Sequence, residues 1–211
     1  MKVRTDSRSI AIFAIFAAMV LAMEVIPVPF LTDIPLGGGF TIDPTGIPVV
    51  IVFVGLGIVY SLILVPVIWV AIAYRGKLPG ATFKAFAEFY TLLGLFIARL
   101  ILRKRSYDWK IALPTYVAFG IIFRSIGMFL TNIPLLQIFY GFTPETAVIG
   151  SAGYVLLNIF QAIINIVLGI GFFIIIPENL KIEAQLGSHR ADRIENYEEI
   201  SAEELEETNN E

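Results

Sequence analysis

From Ile47 to Tyr74 the chain carries no charged residue. A run of that length has no place on the surface of a water-soluble domain. The hydrocarbon core of a bilayer suits it, and there every backbone amide must be satisfied within the chain, so helices are expected. The whole sequence agrees. Of 211 residues, 57% are hydrophobic and 16% charged, and the mean hydropathy is +0.80. A soluble domain lies near 45–50% apolar and roughly 25% charged. The net charge of −3 is dominated by an acidic C-terminal tail. There is no cysteine, which excludes disulfides, cysteine zinc sites and a thiol nucleophile.

A span needs roughly 20 apolar residues, and six segments are expected in an all-α membrane protein. The first covers Ser9–Ile26. It follows Lys2, Arg4 and Arg8 and is too long for a signal-peptide core, so it reads as a retained helix. The run from Ile47 to Tyr74 is too long for one comfortable helix. Gly55 and Gly57 split it into two shorter ones, with Pro66 inside the second. Arg75–Gly80 reads as a loop. Segment four is Phe83–Leu102, ended by Arg103, Lys104 and Arg105, and segment five is Ile111–Leu130. A loop with Asn132, Pro134, Tyr140 and Pro144 leads to segment six, Val148–Ile176, stopped by Pro177. The expected organisation is one membrane domain over residues 1–177 and an acidic cytoplasmic tail over residues 178–211, read as disordered or a short surface helix.

Six spans put both termini on one side. The basic N-terminus and the Arg103–Arg105 cluster share that side, which the positive-inside rule makes cytoplasmic. Arg75, Lys77 and Lys84 fall outside and count against the assignment. The expected topology is N-in, C-in, in the cell membrane.

Polar groups inside the spans are the pointers to function, because lipid offers an amide no partner. Asn158, Gln161 and Asn165 are spaced i, i+3, i+7 and share one helical face. Glu24, Glu88, Arg124 and Asn132 fall in the outer half under the same topology. The loops above carry Thr41, Asp43 and Gly37–Gly39. Amides between spans also serve as helix glue, worth about a kcal/mol or less each. That alternative stands for Asn165 above all. Arg124 reads as an ion-pair partner of Glu24 or Glu88, and Glu24 as an interfacial, hydrated residue. On segment one, Ala14, Ala18 and Ala22 recur every four residues. They suit either close packing within the chain or docking of a second membrane protein.

Other chemistry is missing. No phosphate loop of the form G-x-x-x-x-G-K-[ST] is present, so the chain cannot drive transport by itself in the ATPase manner. The lone His189 lies in the polar tail, no metal-ligand motif occurs, and nothing suggests nucleic acid. An enzyme is not expected, and neither a metal nor a resident cofactor.

Four stretches together resemble a known family, the substrate-binding S components of energy-coupling factor (ECF) vitamin transporters, and within it the riboflavin-type members. The alanine-rich Ile10–Met19 is similar to the family's alanine motif. Phe40-Thr-Ile-Asp43-Pro-Thr-Gly-Ile-Pro48 is similar to the hydrophobic-Asp-x-Ser/Thr-x-x-Pro pattern leading into helix two. Phe123–Tyr140 resembles the riboflavin-type end of helix five, and Asn158-Ile-Phe-Gln161 falls where that type carries Asn-x-x-Lys. The likeness runs from Ile10 to Ile176.

The resemblance implies a six-helix protein that captures a vitamin from outside. A transmembrane coupling subunit docks at Ala14, Ala18 and Ala22, and two cytoplasmic ATPases complete the importer. It implies that Asn132 and Asn158 hydrogen-bond a flavin ring edge, with Gln161, Glu88, Thr41 and Asp43 completing the site and the Thr41–Asp43 loop closing over it. Two positions depart from the pattern: Gln161 replaces a lysine, and Glu88, before Phe89, replaces an asparagine. Another heterocycle, such as a pterin or pyrimidine precursor, is the alternative ligand. A membrane scaffold without a soluble ligand is the alternative class.

Overall fold

Glycine divides the long uncharged run where the sequence predicts. The computed structural model describes residues 6–26, 34–37, 40–102 and 109–187, with seven helices among them. In the uncharged run, helix α2 (Gly46–Gly55) ends at one glycine and α3 (Ile58–Tyr74) begins after another. Gly57 caps α3 at φ +101°, a backbone conformation that side chains with a Cβ resist. Ten residues of helix rise about 15 Å, half the thickness of the hydrocarbon core. So α2 does not span alone, and it and α3 are the two shorter helices expected from the glycine break. Nine of its ten residues are buried, as expected for a helix that is apolar all round.

Among the described residues, four helices are long and apolar enough to cross a membrane: α1 (Ser7–Val25), α4 (Leu78–Leu102), α5 (Trp109–Tyr140) and α6 (Pro144–Ile175). A two-stranded antiparallel hairpin joins α1 to α2, with β1 (Ile34–Gly37) pairing β2 (Phe40–Ile42). The hairpin is a small addition to an otherwise all-α fold. Helix α1 packs on α3, α3 on α4, α4 on α5, α5 on α6 and α6 on α2, which also touches α1, α3 and α4.

Three boundaries differ from the sequence reading. Helix α4 starts at Leu78, inside the expected loop, because Pro79 falls in its first turn, where its missing N–H does no harm. Helix α5 runs through Pro134 to Tyr140 rather than ending at Leu130. Proline inside a membrane helix is tolerated where neighbouring groups support the freed carbonyl. Helix α6 starts at Pro144, four residues early. Thr143 caps it by accepting a 3.4 Å hydrogen bond from the Thr146 amide, with Pro144 and Glu145 in the first turn.

The described ends of the chain meet at one face of the bundle. The Arg8 guanidinium donates to the carbonyl of Glu183. After α6, α7 (Glu178–Glu183) folds back, and Gly187 donates its amide to the carbonyl of Gly55 at 3.0 Å. Lys181 donates to the Ile174 carbonyl and lies 5.3 Å over the Phe173 ring. The stretch just after Pro177 is therefore a short packed helix and turn. The rest of the expected tail, with His189, and the Arg103–Arg105 cluster lie outside the described residues.

Candidate functional site

The polar residues of four helices and one connecting segment converge inside the bundle. Helix α5 buries one residue in every four: Ala112, Tyr116, Gly120, Arg124, Met128, Asn132 and Leu136. That repeat places Arg124 and Asn132 on the same bundle-facing stripe, with Asn132 eight residues, about 12 Å, further along the helix. Asn132 is not in a loop past the helix end, as the sequence reading had it, but inside α5 and 3% exposed.

Arg124 organises the inner layer. Its Nη1 donates to Glu88 Oε1 and to Thr91 Oγ1 on α4, each at 3.0 Å, and its Nε donates to Asn158 Oδ1 on α6 at 3.3 Å. Of the two partners open in the sequence, Glu88 is the one it pairs with. Asn158 Nδ2 donates to the Tyr154 carbonyl one turn back. Asn158 thus faces the level of Arg124 and not that of Asn132.

A second chain of hydrogen bonds continues from Glu88. Asn165 Nδ2 donates to Glu88 Oε1 at 3.4 Å, and its Oδ1 accepts from Gln161 Nε2 at 3.1 Å. Gln161 Nε2 also donates to the backbone carbonyl of Asp43 at 2.5 Å. The carboxylate at one end and the carbonyl at the other are both acceptors only. They fix which way the two amides between them point. Asn165 is therefore a member of the network with both ends engaged. Room for it depends on Gly46, where a Cβ would stand 1.9 Å from Asn165 Nδ2.

A third group holds the segment between β2 and α2. Lys84 of α4 pairs with Glu24 near the end of α1 and with Asp43, and donates to Thr45 Oγ1. Asp43 Oδ1 also accepts from the Thr45 amide at 3.1 Å and from its hydroxyl. Burial alone would raise the Asp43 pKa. The adjacent Lys84 charge and the hydrogen bonds from Lys84 and Thr45 outweigh it and hold the carboxyl below its ordinary value. One sequence reading is corrected here. Glu24 is buried and paired, not hydrated at the interface. Lys84, counted above among the outside charges, is a half-buried ion-pair partner of Glu24 and Asp43, with its side chain 14% exposed. Its signal was its place on the face of α4 one turn before Glu88. Thr91, one turn after Lys84–Glu88 on the same face, was also missed.

Of the expected site residues, Glu88, Asn158, Gln161 and Asp43 are brought together through these bonds. Asn132 lies two turns further along α5 on the stripe of Arg124, and Thr41 sits in β2 opposite Pro35. Among the described residues, four buried side-chain atoms have no hydrogen-bond partner: Glu88 Oε2, Gln161 Oε1, Asn132 Oδ1 and Ser125 Oγ. Three of them belong to expected site residues. No group of carboxylates or histidines able to hold a metal occurs among the described residues.

Ala14, Ala18 and Ala22 are exposed along the outer face of α1. Close packing within the chain, one of the two readings of that stripe, is not what they do.

No protein-family model matches the sequence, and no curated protein matches it either. A solved structure does match in fold: the crystal structure, at 2.1 Å, of the S-component for biotin from an ECF-type ABC transporter. The match has a TM-score of 0.52 and 18% sequence identity, and covers 82% of this chain and 94% of that one. At that identity the shared feature is the fold, that of a multi-pass membrane S-component.

Proposed function

We propose that the chain is a membrane-embedded substrate-binding subunit of an ECF-type vitamin importer, not an enzyme, and that it takes riboflavin or a related flavin. The observation that carries the capture reading is the buried polar network of Glu88, Arg124, Asn158, Gln161 and Asn165, tied to Asp43 in the segment leading into α2. Polar groups so placed within a membrane bundle mark a site or pathway, and here they lie within the fold of a vitamin-binding subunit. In this reading the outer end of the bundle admits the vitamin, and the Thr41–Asp43 segment closes over it. The exposed alanine face of α1 docks the coupling subunit, and the ATPases that the chain lacks sit on the cytoplasmic side.

The flavin assignment rests on the resemblance of Phe123–Tyr140 and Asn158–Gln161 to the riboflavin type. Gln161 and Glu88 favour a second reading, in which the ligand is another heterocycle. The test is purification in detergent, a visible spectrum and a titration of riboflavin fluorescence. A yellow preparation or saturable quenching supports the flavin. No quenching, with saturable binding of another vitamin, selects the second reading.

A further inference from the structure

We infer that Lys84 is a positioning residue of the binding site: it holds the Asp43 carbonyl in place, and through that carbonyl it fixes the oxygen of Gln161, not the nitrogen, as the atom offered to a ligand. This rests on the capture reading and adds a residue on which capture depends.

Helices α4 and α6 are joined at two neighbouring levels. On α4, Lys84 stands one turn before Glu88; on α6, Gln161 stands one turn before Asn165. Glu88 and Asn165 bond directly, with Asn165 Nδ2 donating at 3.4 Å. Lys84 and Gln161 are joined through Asp43. Its carboxylate pairs with Lys84, and its backbone carbonyl accepts from Gln161 Nε2 at 2.5 Å.

The Lys84 ammonium is spent in that role. Its three hydrogens meet three acceptor groups: Glu24, Asp43 and Thr45 Oγ1. Glu24 is steadied in turn, because Arg75 Nη1 donates to its carbonyl at 2.7 Å. Thr45 is the N-cap of α2, and its amide donates to Asp43 Oδ1 at 3.1 Å. The turn from Asp43 to Thr45 is thus built around one ammonium. Behind it α2 is packed tightly on α6: a Cβ on Gly169 would stand 2.7 Å from Val50 Cβ. Packing ties the turn to α6, and Lys84 ties it to α4.

Gln161 is where the tie is felt. Its Nε2 has two hydrogens and two acceptors, the Asp43 carbonyl and Asn165 Oδ1, the second at 3.1 Å. With both in place the nitrogen is spent. Oε1 is then the atom that a ligand donor can still satisfy; it is buried and has no partner in the protein. Turning the amide over would set that oxygen against the Asp43 carbonyl, acceptor against acceptor. If Asp43 shifts, one bond remains on the nitrogen and the side chain can swing about it. A ligand must then order Gln161 as it binds, and that ordering weakens it.

The test is a double-variant cycle in the full chain in detergent. Riboflavin, thiamine and biotin are the probes, and equilibrium dialysis gives the affinity of whichever binds. Lys84→Met and Asp43→Ala should each weaken the bound probe roughly tenfold, as members of one network. Asp43→Ala keeps the carbonyl and leaves Lys84 paired with Glu24, so it serves where Lys84→Met fails to fold. Gln161→Met should weaken the probe by about the same factor, since all three changes undo one fixed oxygen. In the Gln161→Met background, Lys84→Met and Asp43→Ala should change the affinity by less than about twofold, while each still lowers the melting temperature. A merely structural lysine would weaken binding by the same factor in both backgrounds. Equal factors there, or unchanged affinity in both Lys84→Met and Asp43→Ala, overturn the inference and leave the capture reading standing. A Gln161→Met protein with no measurable binding does the same, because Gln161 then does more than Lys84 controls. Binding of none of the three probes by a protein that melts cooperatively overturns the capture reading, and this inference with it.

Discussion

Arg124 on α5 and Glu88 on α4 meet at 3.0 Å, with side chains 5% and 1% exposed. A pair so deeply buried loses much of its Coulomb attraction to the cost of desolvation, and stands only if its remaining atoms are well bonded. Arg124 meets that condition through Thr91 and Asn158. Glu88 meets it on one oxygen only, through Arg124 and Asn165. The other oxygen of the same carboxylate, Glu88 Oε2, is buried without a hydrogen-bond partner.

Breaking the pair from one side is therefore expected to be severe. Arg124→Met leaves the Glu88 charge buried and alone, at a cost of about 3–5 kcal/mol. The double variant Arg124→Met/Glu88→Leu should be distinctly more stable than Arg124→Met, because no unpaired charge remains. Melting temperatures in detergent compare them. A single variant as stable as the parent would show that the pair is not buried as described.

Gly46 offers a gentler way into the same network. Its missing Cβ is the space that Asn165 occupies. Gly46→Ala should push Asn165 away and break the chain from Gln161 to Glu88, while α2 itself gains a better helix former. The expected result is a protein destabilised by about 1–3 kcal/mol, with its helical circular dichroism retained and affinity for its vitamin ligand reduced at least tenfold. Unaltered affinity would remove Asn165 from the machinery that orders the site.

Much of this was legible in the residues. Gly55 and Gly57 announced the break between α2 and α3, and the i, i+3, i+7 amides announced a polar face on α6. The ends of α5 and α6 were not, since a proline beside Asn132 reads as a loop signal. Only packing against α4 and α6 shows that the helix carries on. The site was half legible. Glu88, Asn158 and Gln161 stood out as polar residues in apolar runs. Lys84 did not, because it lies near the start of its helix and looks like one more loop charge. Its partners Glu24 and Asp43 are 60 and 41 residues away in sequence, and only the fold brings them together.

The Asp43–Lys84 pair makes a pH prediction. The Asp43 carboxyl is held below its ordinary 3.8. A group whose pKa is lower in the folded state adds stability above the unfolded value and loses it as pH falls through the folded one. This contribution is thus complete at neutral pH and disappears below pH 3.8. Melting temperature measured from pH 7 downward should show no Asp43-dependent change until that region. Asp43→Asn should have a lower plateau and a shallower acid limb. An acid limb as steep in Asp43→Asn as in the parent would show that other carboxylates carry it.

The outer face of α1 supplies the last expectation. Ala14, Ala18 and Ala22 stand on one stripe and are exposed. Of the nineteen residues of the helix, only Ser9, Val20 and Glu24 are buried. Without a hydrophobic drive between helices in lipid, close approach of small side chains is what lets a second helix dock. Ala14→Trp with Ala18→Trp would fill that approach while leaving α4, α5 and α6 untouched. Co-expressed with its coupling subunit, the double variant should fail to co-purify, yet bind its vitamin as the parent does, because no site residue lies on that face. Loss of both properties would mean that the tryptophans disturb the bundle, and a double variant in the smaller Val would then be needed to read the face alone. Normal co-purification of a well-folded Trp variant would sink the docking assignment.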